Sequence, residues 1–359
     1  MIIYVAIFFT LVLLRQNLAG RPNARVQAYY LALILLFFFS AFRFDVGCDW
    51  TGYENHWWLQ SEFGVLLAYN KEPLWWLLIQ ILQWFDFSYP WLNVFTSLIF
   101  FIGIHVFAGR QKDPLGFLII LFPILIINLP MSGIRQGAAI GIMCIAFCAF
   151  QDKKTFWVFI WVTLASMVHL SAIIFFFMLP LVHGNNLKRR IIAASLFLIP
   201  IVYLLLSVTS LGVSLSDRFV GSGKFSQDAH GAVFRVFLLT ATALFYFLVI
   251  RKKWKEISPK SSRLATLSSF LMILTLPLVL VSSVAGDRFA YFLIPLQAMI
   301  LSNIPFLPIR QYRPIFSVAP YLILGFTFLI WVSFSWHFTE CYVPYKTWIF
   351  GFPLERRPW

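Results

Sequence analysis

The sequence predicts an all-α fold, a polytopic transmembrane helical bundle of about 12 spans. Three observations carry this. The chain of 359 residues is 60% hydrophobic and only 12% charged, outside the range of soluble globular proteins. Its apolar runs recur at lengths near the roughly 20 residues that cross a bilayer. Its basic residues alternate in position with respect to those runs, as cytoplasmic loops do.

Taken in order, apolar runs broken by charges, Pro and Gly place spans near 1–14, 26–42, 91–108, 115–130, 136–150, 155–167, 169–182, 191–211, 232–250, 264–284, 288–307 and 315–337. The first run has no Lys or Arg ahead of it, and Arg15, Arg21 and Arg25 follow. That order is the reverse of a cleavable signal peptide and sets the N-terminus outside. An even number of spans then puts the C-terminus outside too. Leu74–Phe85, opened by Pro73, is short for a span and reads as a re-entrant or interfacial helix near 74–85. The pair within 155–182 must share one apolar run. The whole chain, 1–359, reads as a single integral-membrane domain.

The net charge of +14 follows this topology. Alternate loops, taken as cytoplasmic, hold 18 of the 28 basic residues with Asp113, Asp152 and Glu256, a balance of +15. The other side holds 10 basic and 11 acidic residues, or −1. A basic soluble face for nucleic acid is not visible, so no nucleic-acid partner is expected. Four Cys are too few for a disulfide framework. Cys48 and Cys341 both fall outside, where a bond between them would tie two outer segments together.

The outer side gathers the chemistry. Eleven residues, Arg43 to Tyr53, hold one Arg, two Asp, a Tyr and two Gly, and Glu54 and His56 follow. Ionisable groups beside a span point to function. Asp45, Asp49 and Glu54 are candidates for general-base work, and Gly47 and Gly52 suggest a loop. Pairing with Arg43 and hydrogen bonds to turn amides would account for these carboxylates equally well. Arg135 opens a helix rich in small residues, Gly137, Ala138, Ala139 and Gly141, which permits close packing. A guanidinium there can grip a phosphate with two parallel hydrogen bonds; the plainer role is a headgroup anchor. Arg218 and Arg288 each sit in an Asp-Arg-Phe triplet, where a local ion pair is the plainer account. Tyr291 lies one turn beyond Arg288. His169, between two apolar runs, has a side chain that titrates near physiological pH. No P-loop, His-Glu-x-x-His, Asp-x-Asp or Gly-x-Ser-x-Gly motif occurs, so neither a metal nor a cofactor is expected.

The succession Arg43-x3-Gly47-x-Asp49-x3-Tyr53, Glu72-Pro73, Ile134-Arg135-Gln136, His169-x-Ser171 and Pro344-Tyr345-Lys346 resembles the EpsG-like branch of the Wzy-type polysaccharide polymerases. It covers nearly the whole chain; Cys48 stands where members often carry a small hydroxyl residue. The resemblance implies a multi-pass enzyme of the bacterial inner membrane with its active site facing the periplasm or exterior. Such an enzyme joins undecaprenyl-diphosphate-linked oligosaccharide units into O-antigen, capsule or exopolysaccharide. It is a metal-independent glycosyltransferase in which the lipid diphosphate leaves. The residues read here as catalytic candidates are Asp49, Glu54 and His169. Those read as candidates for diphosphate and sugar are Arg43, Arg135, Arg288, Arg218, Tyr53, Tyr291 and Tyr345. Implied partners are the lipid-linked oligosaccharide, membrane lipid, and a chain-length regulator and flippase of the same pathway. Two other classes stay open: an O-antigen ligase-like or lipid-linked sugar glycosyltransferase, and a glycolipid transporter or flippase. A transporter should carry mid-span charges or an inverted repeat; neither is visible.

Overall fold

The computed structural model describes residues 1–63, 72–184, 186–210, 231–307 and 313–351. Every regular element among them is helical. The chain-order helices are α1 (Ile2–Asn17), α2 (Pro22–Ala41), α3 (Trp50–Phe63), α4 (Pro73–Trp84), α5 (Pro90–Ala108), α6 (Pro114–Leu121), α7 (Ile134–Gln151) and α8 (Thr155–Val168). A 3-10 helix (Leu170–Leu181) and α9 (Leu187–Ser210) follow. Then come α10 (Ala232–Phe245), α11 (Arg251–Ile257), α12 (Ser262–Val281), α13 (Ser283–Asn303), α14 (Arg313–Phe334) and α15 (Trp336–Tyr342). Seven of the described helical stretches are long and apolar enough to cross a membrane. Four shorter apolar helices join them: α1, α6 with its continuation to Ile126, α8 and the 3-10 helix.

Helix α6 forms the middle of the bundle. Leu115 to Leu121 are all buried, as befits a helix that is apolar all round. It packs on α13, and α2 packs on α5 and α6. Helix α7 packs against α5 and α8. The closest approach on this side is between Gly103 and Gly141, where a Cβ on either would overlap the other helix's backbone. Small residues allow that contact, as in membrane helix pairs generally.

The two ends of the bundle differ in chemistry. At one end Asp113 accepts hydrogen bonds from Arg15 Nε and Arg25, both at 2.7 Å, and from Gly116 N at 3.0 Å. Its carboxylate therefore caps α6 and ties α1 and α2 to it. Arg110 and Asp152 pair nearby through two bonds of 2.7 and 2.8 Å. The other ends of α2, α7 and α8 lead to Asp49, Arg135 and His169. The two sets of ionisable residues thus lie at opposite ends of the same helices.

Four local expectations change. The segment from Arg43 is a loop only as far as Asp49, because α3 begins at Trp50; Tyr53 and Glu54 are helical. The turn before α13 falls at Ser282, whose hydroxyl caps Ala285 N, so Asp287 and Arg288 lie inside the helix. The run at 232–250 continues helically to Ile257, through a π-helical turn at Tyr246–Ile250. The last long helix stops at Phe334, and α15 follows it. The break inside 155–182 falls at His169, which has extended backbone (φ −146°, ψ 114°).

Candidate functional site

A cavity of about 260 Å³ opens at the end of the bundle away from the basic loops. Its walls come from distant parts of the chain: Asp49, Gly52, Tyr53 and His56 from the start of α3; Gly133, Arg135 and Gln136 from the start of α7; His169; and Arg288.

The loop carrying Asp49 is held from beneath. Arg43 is fully buried and spends its guanidinium on Val46 O (2.9 Å), Ser40 O (3.0 Å) and Asn93 Oδ1 (2.7 Å). Burial pushes its pKa down to about 10. Gly47 takes φ +102°, and a Cβ there would strike the Met131 carbonyl, so only glycine fits. Its N–H donates to Cys341 O at 2.6 Å. Cys48 and Cys341 are joined by a disulfide with Cα atoms 4.8 Å apart. Residues 343–348 close over the loop: Phe44 N donates to Lys346 O, and Trp348 N to Phe42 O. Tyr345 donates to Phe39 O at 2.8 Å and stacks on that ring. Ser132, just before α7, donates to Asp49 Oδ2 at 3.1 Å and accepts from Asp49 N at 3.3 Å.

Glu72 is the hub of the site. It precedes Pro73, which occupies the first turn of α4, where its missing N–H costs nothing. The carboxylate does not cap its own helix. It reaches across to three partners: Arg135 Nη1 at 2.6 Å, His169 Nδ1 at 2.9 Å and Leu170 N at 2.8 Å. Burial pushes the Glu72 carboxyl up, but the His169 hydrogen bond, the Arg135 charge and the Leu170 N–H outweigh it, and the group sits below its ordinary value. Burial lowers the His169 pKa, against the opposing pull of Glu72. An ionised Glu72 therefore faces a neutral imidazole, which must carry its proton on Nδ1. Nε2 is left as the lone-pair nitrogen of a ring that lines the cavity.

Two guanidinia complete the site. Arg135, in the first turn of α7, lies 5.9 Å from the Trp75 ring centre, and its Nε is buried without a hydrogen-bond partner. Arg288 is fixed through its backbone, because Gln136 Nε2 donates to its carbonyl at 2.6 Å. Tyr53 packs on Trp75 with ring centres 5.2 Å apart, and burial pushes its hydroxyl up to about 12. Trp75 Nε1 donates to His56 Nδ1 at 3.3 Å. Burial, followed by the Arg135 charge, lowers the pKa of His56. The cavity thus offers two guanidinium cations, a neutral base, a carboxylate at Asp49, and an aromatic wall.

Of the residues the sequence singled out, Asp49, Tyr53, Arg135, His169 and Arg288 meet here. Arg43 and Tyr345 hold the loop in place and are not part of the cavity wall. Glu54 is 9% exposed and is not part of the cavity wall. Tyr291 is buried under Arg235, whose guanidinium carbon is 4.9 Å from its ring centre. Arg218 lies outside the described residues. Sequence reasoning did not pick Glu72, His56 or Gln136 as site residues. A usable signal for Glu72 existed: an Arg at a membrane boundary calls for a counterion, and Glu72 is an acidic residue on the same outer side. Among the described residues, one group of three metal-capable side chains clusters, Cys48, His337 and Cys341; two of these are spent on the disulfide.

No curated protein and no solved structure matches the chain. A family model described as the EpsG family matches residues 26–347, a span that contains every wall of the cavity. The succession of motifs, the helical bundle and the matched span agree: the chain belongs to the EpsG family of polysaccharide polymerases.

Proposed function

We propose that this protein polymerises oligosaccharide repeat units carried on a polyprenyl diphosphate such as undecaprenyl diphosphate, at the outer face of the bacterial inner membrane. The observation that carries the proposal is His169, backed by Glu72, set beside Arg135 and Arg288 in one cavity. The positive-inside rule orients it, since the opposite ends of the helices carry the basic loops. About twelve spans, with both termini outside, fit that orientation.

In this reading the donor is the growing chain on its lipid diphosphate, and the acceptor is the non-reducing end of the next lipid-linked unit. The acceptor hydroxyl gives its proton to His169 Nε2 as its oxygen bonds to the donor's anomeric carbon. The bond from that carbon to the diphosphate oxygen breaks, and the electron pair leaves with the diphosphate. Arg135 and Arg288 stabilise the charge developing there, where fixed donors are worth most. Glu72 holds the imidazole in the useful tautomer and stabilises the imidazolium, as a buried carboxylate does behind a catalytic histidine. Asp49 and Tyr53 are placed to orient sugar hydroxyls. The diphosphate is an activated leaving group, so neither a covalent nucleophile nor a metal is needed.

Purified protein in lipid nanodiscs, given lipid-linked repeat units and excess chelator, should build a ladder of polymers. A ligase-like or lipid-linked sugar transferase would stop after one transfer, and a transporter would form no bond. Either outcome would overturn the reading.

A further inference from the structure

A second, smaller cavity of about 70 Å³ lies in the flank of the bundle. Helices α10 and α14 bound it through Phe234 and Arg235 on one side and Phe328 and Trp331 on the other. Pro123 and Ile124 form its floor. Phe234 is 47% exposed at its mouth, whereas Phe328 is buried. The slot's lining is mostly apolar; Asn128, Thr327 and Arg235 are its polar side chains, and Arg235 pairs with Asp287 at 2.6 Å.

Two features set this slot apart from an ordinary gap between lipid-facing helices. The first is its floor. Helix α6 widens into a π-helical turn at Phe122–Ile126, around Pro123. Asn128 donates to Ile124 O at 2.8 Å and satisfies a carbonyl in this stretch. Such turns concentrate at functional sites, and irregular backbone at membrane depth is tolerated where it faces protein or a cavity. The second is its neighbour. Asp287, which holds Arg235, is followed in the chain by Arg288, a wall of the main cavity. Gly133, another wall of that cavity, donates its N–H to Asn128 O at 3.1 Å. The linings of the two cavities are therefore linked through Asp287 and Arg288, consecutive residues of α13, and through the Gly133–Asn128 hydrogen bond.

We infer that the slot seats the first part of the isoprenoid tail of the donor lipid while its diphosphate lies against Arg288 and Arg135. This rests on the function proposed above. A ligand that fills an apolar groove at span depth and places its head at guanidinium groups has an apolar chain and an anionic head. Arg235, a wall of the slot, is held by Asp287, the residue before Arg288. The acceptor lipid does not fit here. Its own diphosphate lies a whole repeat unit from the reacting hydroxyl, whereas the slot adjoins the leaving-group site.

The test is photolabelling of the full chain in nanodiscs. The probe is a polyprenyl diphosphate with a diazirine on its first isoprene units; the control is the same chain ending in a neutral alcohol. The diphosphate probe should mark peptides containing Phe234, Phe328 or Trp331 above the control. Thr327→Trp and, separately, Ile124→Trp fill the slot and should reduce that labelling to the control level while the main cavity stays intact. Equal labelling by the two probes, spread over the lipid-facing surface, would overturn the inference. So would undiminished labelling in both filled variants. Polymer synthesis is scored separately. Slot labelling without polymer would remove the proposed function and leave the lipid site, whereas polymer without slot labelling would do the reverse.

Discussion

Replacing Glu72 by Gln should disable the site without unfolding the bundle. The side chain keeps its shape but loses its charge. The amide oxygen can still accept from Leu170 N, yet the amide N–H₂ then faces Arg135, a donor meeting donors. Two of the carboxylate's three contacts, to Arg135 at 2.6 Å and His169 at 2.9 Å, are weakened or lost. Hydrogen bonds to charged groups contribute about 1.5–3 kcal/mol each. The Arg135 and Glu72 side chains are 25% and 13% exposed, so solvent screening lowers that figure. A loss of about 2–4 kcal/mol at the transition state corresponds to a rate about 30- to 1000-fold lower. Loss of a carboxylate behind a catalytic histidine can cost up to about 10⁴-fold in other enzymes, so this range is conservative. The assay is polymer formed per minute by purified variant of matched abundance and melting temperature. A Glu72→Gln enzyme within a few-fold of wild type would refute the role given to Glu72.

Arg135→Ala should lower the rate about a hundredfold, the usual effect of losing one fixed donor of about 3 kcal/mol, and Arg135→Lys should recover only part of it. Arg288→Ala should behave alike, and the double variant should be less than additive if both grip one diphosphate; full additivity would place them on different groups. The pH profile should have its acid limb below the ordinary histidine value of about 6.5, because burial lowers His169 and the base works only when neutral. In Glu72→Gln the limb should move lower still, since Glu72 raises the His169 pKa; an upward shift measured by polymer rate against pH would contradict this. Cys48 and Cys341 should resist alkylation in intact cells until a reductant is added, and labelling without reductant would contradict the bonded outer loop.

The helices were legible because apolar runs of span length have few other uses. Even the break at His169 could be read from a polar residue splitting one such run. Gly137 and Gly141 announced a close helix contact, though not that Gly103 was the facing residue. The loop end was misplaced because Gly52 suggested a turn, whereas α3 already runs through it. The site was half legible. Arg135, His169 and Arg288 break the apolar pattern and stand out. Arg43 stands out equally, yet its donors are consumed by Val46, Ser40 and by Asn93, 50 residues away. Glu72 shows the reverse. It enters the motif succession beside Pro73, but its role comes from partners 63 and 97 residues away. Sequence shows that a boundary Arg needs a counterion on its own side of the membrane, but which of the outer acidic residues supplies it depends on the fold.

The central claim is that the cavity lined by His169, Arg135 and Arg288, with Glu72 behind them, transfers a sugar chain from a lipid diphosphate to a sugar hydroxyl. The most direct measurement gives the purified protein a donor labelled in its sugar and an unlabelled acceptor oligosaccharide, and follows both label and lipid. The account predicts that label moves onto the acceptor and that one lipid diphosphate is released for each bond formed. Label released to water as free sugar, or donor that stays intact while Glu72→Gln behaves as wild type, would contradict it.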